Sequence, residues 1–411
     1  MKVAQVSYSD TMGGAARAAY RIHHALLQHG VDSRMCVGQA NRGDWTVQTI
    51  HGRWNKTINK FRHPVARLVV RAIGTKNGAR QSPNIFPSHW QQQLNDSDVD
   101  VIHLHLMAEE MMSIAEIGRL QGPVVWTLHD MWGFCGAEHH TEEVRWRDGY
   151  TRRNRPDYES GFDLNRWTWQ RKRKYWHRPL QIAAPSHWLA ECVQQSVLMR
   201  DWPVSVVPNP IDTDVWAPID KELARSILRL PSGAPLLLFG ADGGTRDPRK
   251  GFNLLRSAVS HLEGKLAGLE LVVIGQLAPK EPLDLNFPVH YAGHQYDNAS
   301  LRLYYSAASA VVVPSRLDNL PNCAVEAHAC GTPVVAFHAG GLPDIVDHEK
   351  TGYLAKPYDA EDLARGIQWV LEDAERCALL GTRSRRAAVA RYSYPVVAEQ
   401  YLQVYKAAIY A

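Results

Sequence analysis

Two acids, Asp318 and Glu326, stand eight positions apart within the stretch VVVPSRLDNLPNCAVEAHACGTPVVAFHAGGLPDIV at 311–346. The first precedes a turn and the second lies in a run of good helix formers, so both carboxylates can face one crevice beyond the carboxyl end of a strand. A second group is cationic. The loop at 241–251, ADGGTRDPRKG, combines glycines with Arg246 and Lys250, which is what holding a pyrophosphate requires. A third is Gly13-Gly14, a glycine turn between an apolar strand and a helix, where amide N–H groups and the helix dipole favour an anion. The fourth is His129, placed directly after the buried strand 124–128, where open sheets bind ligands.

These groups need elements to hold them. Val311 to Val313 are β-branched and bounded by Pro314 and Ser315, as a buried parallel strand should be. A helix over 322–330 stops at Gly331 before Pro333, a strand follows at 334–337, and Gly340-Gly341 with Pro343 open a further helix. Earlier, apolar runs at 3–8, 33–37, 98–106, 124–128, 182–185 and 204–207 predict one set of strands, with a helix over 16–29. Runs at 235–240, 269–274, 289–292 and 311–313 predict a second set. Strands alternating with helices twice over mean two doubly wound α/β sheets. No GxGxxG follows the first strand, so the dinucleotide fingerprint is missing.

The wording DNLPNCAVEAHACGTPVVAF resembles the donor-site signature of family 4 of the retaining glycosyltransferases, which have the GT-B fold. That resemblance implies two Rossmann-like domains facing across a cleft, with the boundary near PNPID at 208–212. The first domain, 1–210, would bind acceptor; the second, 211–392, the nucleotide-sugar donor; and 393–411 would form a helix crossing back to the first. By the same resemblance Asp318, Asn319 and Leu320 meet the donor sugar and Glu326 the ribose, although the family's first acid is usually glutamate. Gly13 and Gly14 cover the pyrophosphate, Lys250 and the shifted Arg246 neutralise it, and His129 in TLHDMW faces the donor sugar. The family works without a metal or other cofactor, moving a hexose or N-acetylhexosamine to a sugar hydroxyl. The DNLPN wording points to its capsule and exopolysaccharide branch, hence to a lipid-linked saccharide acceptor. Two rivals are a nucleotide-sugar epimerase of the same fold and a non-catalytic subunit.

Composition bounds these readings. The 411 residues suit two cores, and 45% hydrophobic with 21% charged is ordinary for a globular chain. No run approaches the length of a membrane span, and no signal peptide opens the chain, so the expectation is a cytoplasmic protein, peripheral at the inner face of the membrane. Six scattered cysteines without CxxC read as reduced thiols. His103, His105, His129, His139 and His140 lack carboxylate or cysteine partners at ligand spacing, so no metal site is read from them.

Net charge is only +4, but nine Lys/Arg against one acid fall within 42–80, and eleven against four within 145–178. At 54–73, Trp54, Ile58, Phe61, Val65, Leu68 and Ala72 recur at helical spacing among basic residues. Two readings stay open there: a helix lying on anionic lipid, or one packed on its own domain with solvated charges. The aromatic and basic 145–178 segment suits a sugar or lipid-pyrophosphate acceptor, or is a solvated amphipathic helix. No nucleic-acid-binding fold surrounds it, so nucleic acid is not an expected partner.

Overall fold

The computed structural model describes residues 1–49, 62, 64–71, 80–240, 247–279, 285–295 and 297–411. They divide into two compact units: Met1–Asn209 with Val397–Ala411, and Pro210–Val396. Each is built on one wholly parallel sheet, with helices on its faces, and together they have the GT-B architecture.

In the first unit the strands are β1 (Lys2–Ser9), β2 (Asp32–Gln39), β3 (Val47–Thr49), β4 (Val101–Leu104), β5 (Val124–Thr127), β6 (Gln181–Ala184) and β7 (Val204–Val206). Their order across the sheet is β3-β2-β1-β4-β5-β6-β7. The chain therefore winds outward one way from β1 and then the other way from β4, which puts the switch point at the carboxyl ends of β1 and β4. β3 was not anticipated, because three half-buried residues carry too little apolar pattern to stand out.

The second unit repeats the plan with β8 (Leu236–Gly240), β9 (Glu270–Ile274), β10 (Val289–Gly293), β11 (Ala310–Val313), β12 (Val334–Phe337) and β13 (Gly352–Ala355). The order is β10-β9-β8-β11-β12-β13, with its switch point between β8 and β11. Period-two alternation divides these strands between two cores. Leu237, Phe239, Val312, Val335 and Phe337 enter one, and Leu238, Val311, Val313, Val334 and Ala336 the other. Both faces are apolar because helices cover both, which is why the strands read as unbroken hydrophobic runs.

Three local expectations need correction. The segment after Gly340-Gly341 is a short 3-10 turn, Leu342–Asp344, rather than the start of a full helix. The 145–178 segment is solvated only in part: Arg147, Arg152, Arg153, Arg173, Lys174 and Arg178 are exposed, but Arg145 and Lys172 are not. Arg145 is buried against Glu159 and Asp163 at 3.2 and 2.8 Å, and the Lys172 ammonium is buried on the carbonyls of Trp132, Cys135 and Gly136. These two cations fasten the 130–165 loops, where the helix Leu164–Tyr175 packs. Of the 54–73 helix, residues 54–61, 63, 72 and 73 lie outside the described residues. Arg62, one of the basic residues of that stretch, is 7% exposed and donates to the Phe86 carbonyl at 2.7 Å, while Leu68 on the apolar stripe is 61% exposed.

Candidate active site

In the second unit the site begins where β8 and β11 end. The turn Pro248–Lys250 is capped by Asp247, whose side chain accepts from the Arg249 amide. Gly251 follows in the left-handed region at φ +68°, and a Cβ there would lie 1.9 Å from the Pro314 carbonyl oxygen. Only glycine lets this turn press against the backbone leaving β11. Gly251→Ala should therefore cost roughly 1–3 kcal/mol from backbone strain alone, with the clash adding to it. Thermal unfolding at a Tm equal to wild type would count against that close approach.

The press of the two backbones delivers Lys250 to Asp318. Its Nζ donates to Asp318 Oδ2 at 2.5 Å, both side chains being largely buried. Ser315 Oγ donates to the same oxygen at 3.4 Å, and the amide of Gly341 to the Asp318 carbonyl at 3.0 Å. Arg249 was not singled out from the sequence. Its guanidinium donates to the Leu317 carbonyl and stands 4.0 Å from Asp318 Oδ1, and its place in the run RKG was the signal available.

Glu326 projects from the helix Asn322–Ala329. It is 3% exposed, and the Tyr305 hydroxyl donates to its Oε2 at 3.1 Å. The Cys323 thiol ties the charges together. Burial pushes it up to about 12, and it feels Lys250, Asp318 and Glu326 at once, so these three surround the helix's first turn. Asn319 and Leu320 are buried in the connection between them. Arg246 lies outside the described residues.

In the first unit, β1 runs into a turn held by Ser9 Oγ, which accepts from the amides of Thr11 and Met12. Gly13, exposed at φ +80°, starts the helix Gly13–Gln28, whose N-terminus has no side-chain cap and no acid in its first turn. Gly14 follows it there, also exposed. The positive pole of the helix dipole lies at that end.

His129 stands one residue beyond Leu128 at the end of β5, over a small recess shared with His105, Met107, Trp126 and Trp132. Its neighbour Asp130 turns away to other work. One oxygen caps the 3-10 turn Met131–Gly133 through the Trp132 amide, and the other meets His139 Nδ1 at 2.7 Å. Among the described residues no three His, Cys, Asp or Glu side chains form a group that could hold a metal ion.

Burial sets the electrostatics of this unit. It holds His103 and His105 well below the usual imidazole range, and lowers His129 to about 4. His23, fully buried between Ser33 and Thr46, is lowered to about 4 by burial and by neighbouring His24. A group with a depressed folded pKa stabilises above its unfolded value, near 6.5, and that stability is lost as pH falls towards the folded one. His23 alone accounts for about 3 kcal/mol. Urea unfolding of the first unit should show stability falling between about pH 6.5 and 4; a flat profile there would contradict neutral burial.

Residues 12–215 match the family model described as Glycosyltransferase Family 4, and residues 220–387 the model described as Glycosyl transferases group 1. The two models divide the chain between them, meeting near the boundary between its two units. Among curated relatives, a D-inositol 3-phosphate glycosyltransferase of Segniliparus rotundus is 32% identical over 217 residues, 50% of this chain and 47% of that protein. The chain spans about half the length of the curated relatives it matches. A sucrose-phosphate synthase from Thermosynechococcus elongatus shares the fold at TM-score 0.67 and 19% identity, over 99% of this chain and 98% of that one. An Anabaena protein solved in complex with UDP-glucose does so at TM-score 0.65 and 16% identity, over 99% and 100%.

Proposed function

We propose that this chain is a retaining glycosyltransferase that moves a hexose or N-acetylhexosamine from a nucleotide diphosphate sugar to a sugar hydroxyl. The observation that carries the reading is the Lys250–Asp318 pair beside buried Glu326 at the second unit's switch point. Breaking a glycosyl–phosphate bond leaves charge on a diphosphate, and a fixed ammonium stabilises that charge as it develops. Asp318 accepts hydroxyl hydrogens of the donor sugar and Glu326 those of the ribose. Lys250, with Arg246, and the amides at Gly13 and Gly14 take the pyrophosphate, so the reading needs no metal or other cofactor. His129 meets the transferred sugar. With retention, the departing phosphate oxygen takes the proton of the acceptor hydroxyl as the new bond forms on the same face.

UDP is the first donor nucleotide to try, since a fold neighbour was solved with UDP-glucose. The acceptor we propose is a lipid-linked saccharide of surface polysaccharide assembly, reached at an anionic membrane. Among the described residues no helix is long and apolar enough to cross a membrane. Val65 and Leu68 are exposed beside exposed Arg67 and Arg71, as an interfacial face would have them. Leu68→Glu should release the protein from vesicles containing anionic lipid. Cosedimentation equal to wild type would remove the membrane from the proposal.

The central test is thermal unfolding with UDP, GDP and ADP, followed by turnover of the matching nucleotide sugars with mixed saccharide acceptors. One nucleotide should stabilise the protein and its sugar should be transferred with the anomeric configuration kept. Sugar isomerisation without acceptor would instead favour an epimerase, and nucleotide binding without any turnover a non-catalytic subunit.

A further inference from the structure

The middle of the first sheet carries polar residues where apolar ones would pack more cheaply. Gln5 of β1 pairs in register with His103 of β4, and Thr127 ends β5. His105 and His129 continue the same alternation just past their strands. The closing helix Tyr394–Tyr410 lays Tyr401 and Tyr405 on this row, both fully buried. Burying such groups is costly unless each finds a partner, and here they find one another.

The contacts form one unbroken chain. His129 Nε2 lies 3.2 Å from His105 Nδ1, and His105 Nε2 lies 2.5 Å from Gln5 Oε1. The Gln5 amide nitrogen donates to the Tyr405 hydroxyl at 3.2 Å, which lies 2.7 Å from His103 Nδ1. His103 Nε2 and Thr127 Oγ1 are 2.7 Å apart, and Thr127 Oγ1 and the Tyr401 hydroxyl 3.0 Å.

Each neutral imidazole has one N–H and one lone pair, so fixing any link fixes the next. Since the Gln5 nitrogen donates to Tyr405, the Gln5 oxygen accepts, and His105 carries its proton on Nε2. His105 Nδ1 is then a lone pair that takes the N–H of His129 Nε2. On the other side Tyr405 gives its hydrogen to His103 Nδ1, His103 Nε2 donates to Thr127, and Thr127 to Tyr401. Every hydrogen bond points the same way along the chain.

We propose that this buried row is a positioning device: Gln5, His105 and Tyr405 hold the His129 ring at the end of β5 as its Nε2–H tautomer. That a held His129 serves sugar transfer rests on the transferase reading above. The tautomer itself does not. Burial, which keeps all three imidazoles neutral, removes the alternative in which a doubly protonated ring donates at both nitrogens. Gln5, His105 and Tyr405 are thus positioning residues, acting through His129.

The test is a two-bond proton–nitrogen correlation spectrum of the whole chain labelled at histidine nitrogen, with the His129 signals assigned by their loss in His129→Gln. The wild type should show one His129 tautomer, protonated at Nε2. Gln5→Met, close in shape but unable to link either neighbour, should give a mixture of His129 tautomers. It should lower kcat about 10- to 100-fold while nucleotide binding, measured by thermal shift, is unchanged. A wild-type His129 protonated at Nδ1 would overturn the proposal, as would a Gln5→Met protein with the tautomer still single. If Gln5→Met does not fold, the wild-type spectrum decides by itself, with Tyr405→Phe as the second variant expected to mix tautomers. A wild type that shows the predicted tautomer but binds no nucleotide would separate failure of the transferase reading from failure of this one.

Discussion

Lys250→Ala is expected to lower kcat about 10²–10³-fold, the usual loss when one preorganised donor is removed from developing transition-state charge. The ammonium is held by structure on both sides: its turn is fixed by Asp247 and Gly251, and its Nζ by Asp318 at 2.5 Å. Removing it also leaves the Asp318 carboxylate to repel a diphosphate, so nucleotide affinity should fall as well. The double variant Lys250→Ala, Asp318→Asn separates these effects. It should recover much of the nucleotide binding, since the repulsion is gone, yet none of the turnover, since the stabilising charge is still missing. Recovery of kcat in the double variant would make the pair a structural tie and move the leaving-group role elsewhere. Steady-state kinetics of the three proteins, beside their Tm values, decide the matter.

Glu326→Gln should weaken binding of the cognate nucleotide by about 2–3 kcal/mol, or roughly 30- to 150-fold in Kd, as for hydrogen bonds to a buried charged group. The substitution keeps shape and leaves an oxygen for the Tyr305 hydroxyl, so the helix Asn322–Ala329 should hold. The informative comparison uses the 2′,3′-dideoxy nucleotide. Wild type should bind it as weakly as the variant binds the normal one, and the variant should not distinguish the two. Equal losses from both changes, adding independently, would mean that Glu326 does not touch the ribose.

The fold was legible because its strands are buried on both faces. VVV at 311–313 and VVAF at 334–337 admit no reading but core strands, and their bounding prolines and glycines locate the loops. Asp318, Glu326 and Lys250 were legible for a related reason: each follows such a strand at its carboxyl end. Partners far apart in sequence were not. Nothing local in Tyr305 announces that it closes a contact on Glu326, nor in Gln5 that it reaches His129 through His105, because register and sheet order decide it. The basic segment at 145–178 misled for the opposite reason. Most of its charges are solvated, as they look in sequence, but Glu159 and Asp163 neutralise Arg145, and a set of carbonyls holds Lys172, inside the loops. His103 and His105 were seen and set aside as metal ligands; Thr127, Gln5 and His129 partner them within the sheet, and Tyr405, from about 300 residues away, joins His103 to Gln5.

That arrival also fixes an order of events during synthesis. Residues 210–396 form a continuous unit, so they can collapse on their own sheet as soon as they have left the ribosome. The amino-terminal unit, though made first, waits with Gln5 and His103 each short of one partner until Tyr405 has been translated. A nascent chain stalled before Val397 should accordingly resist protease in its second half while its first half is still cleaved.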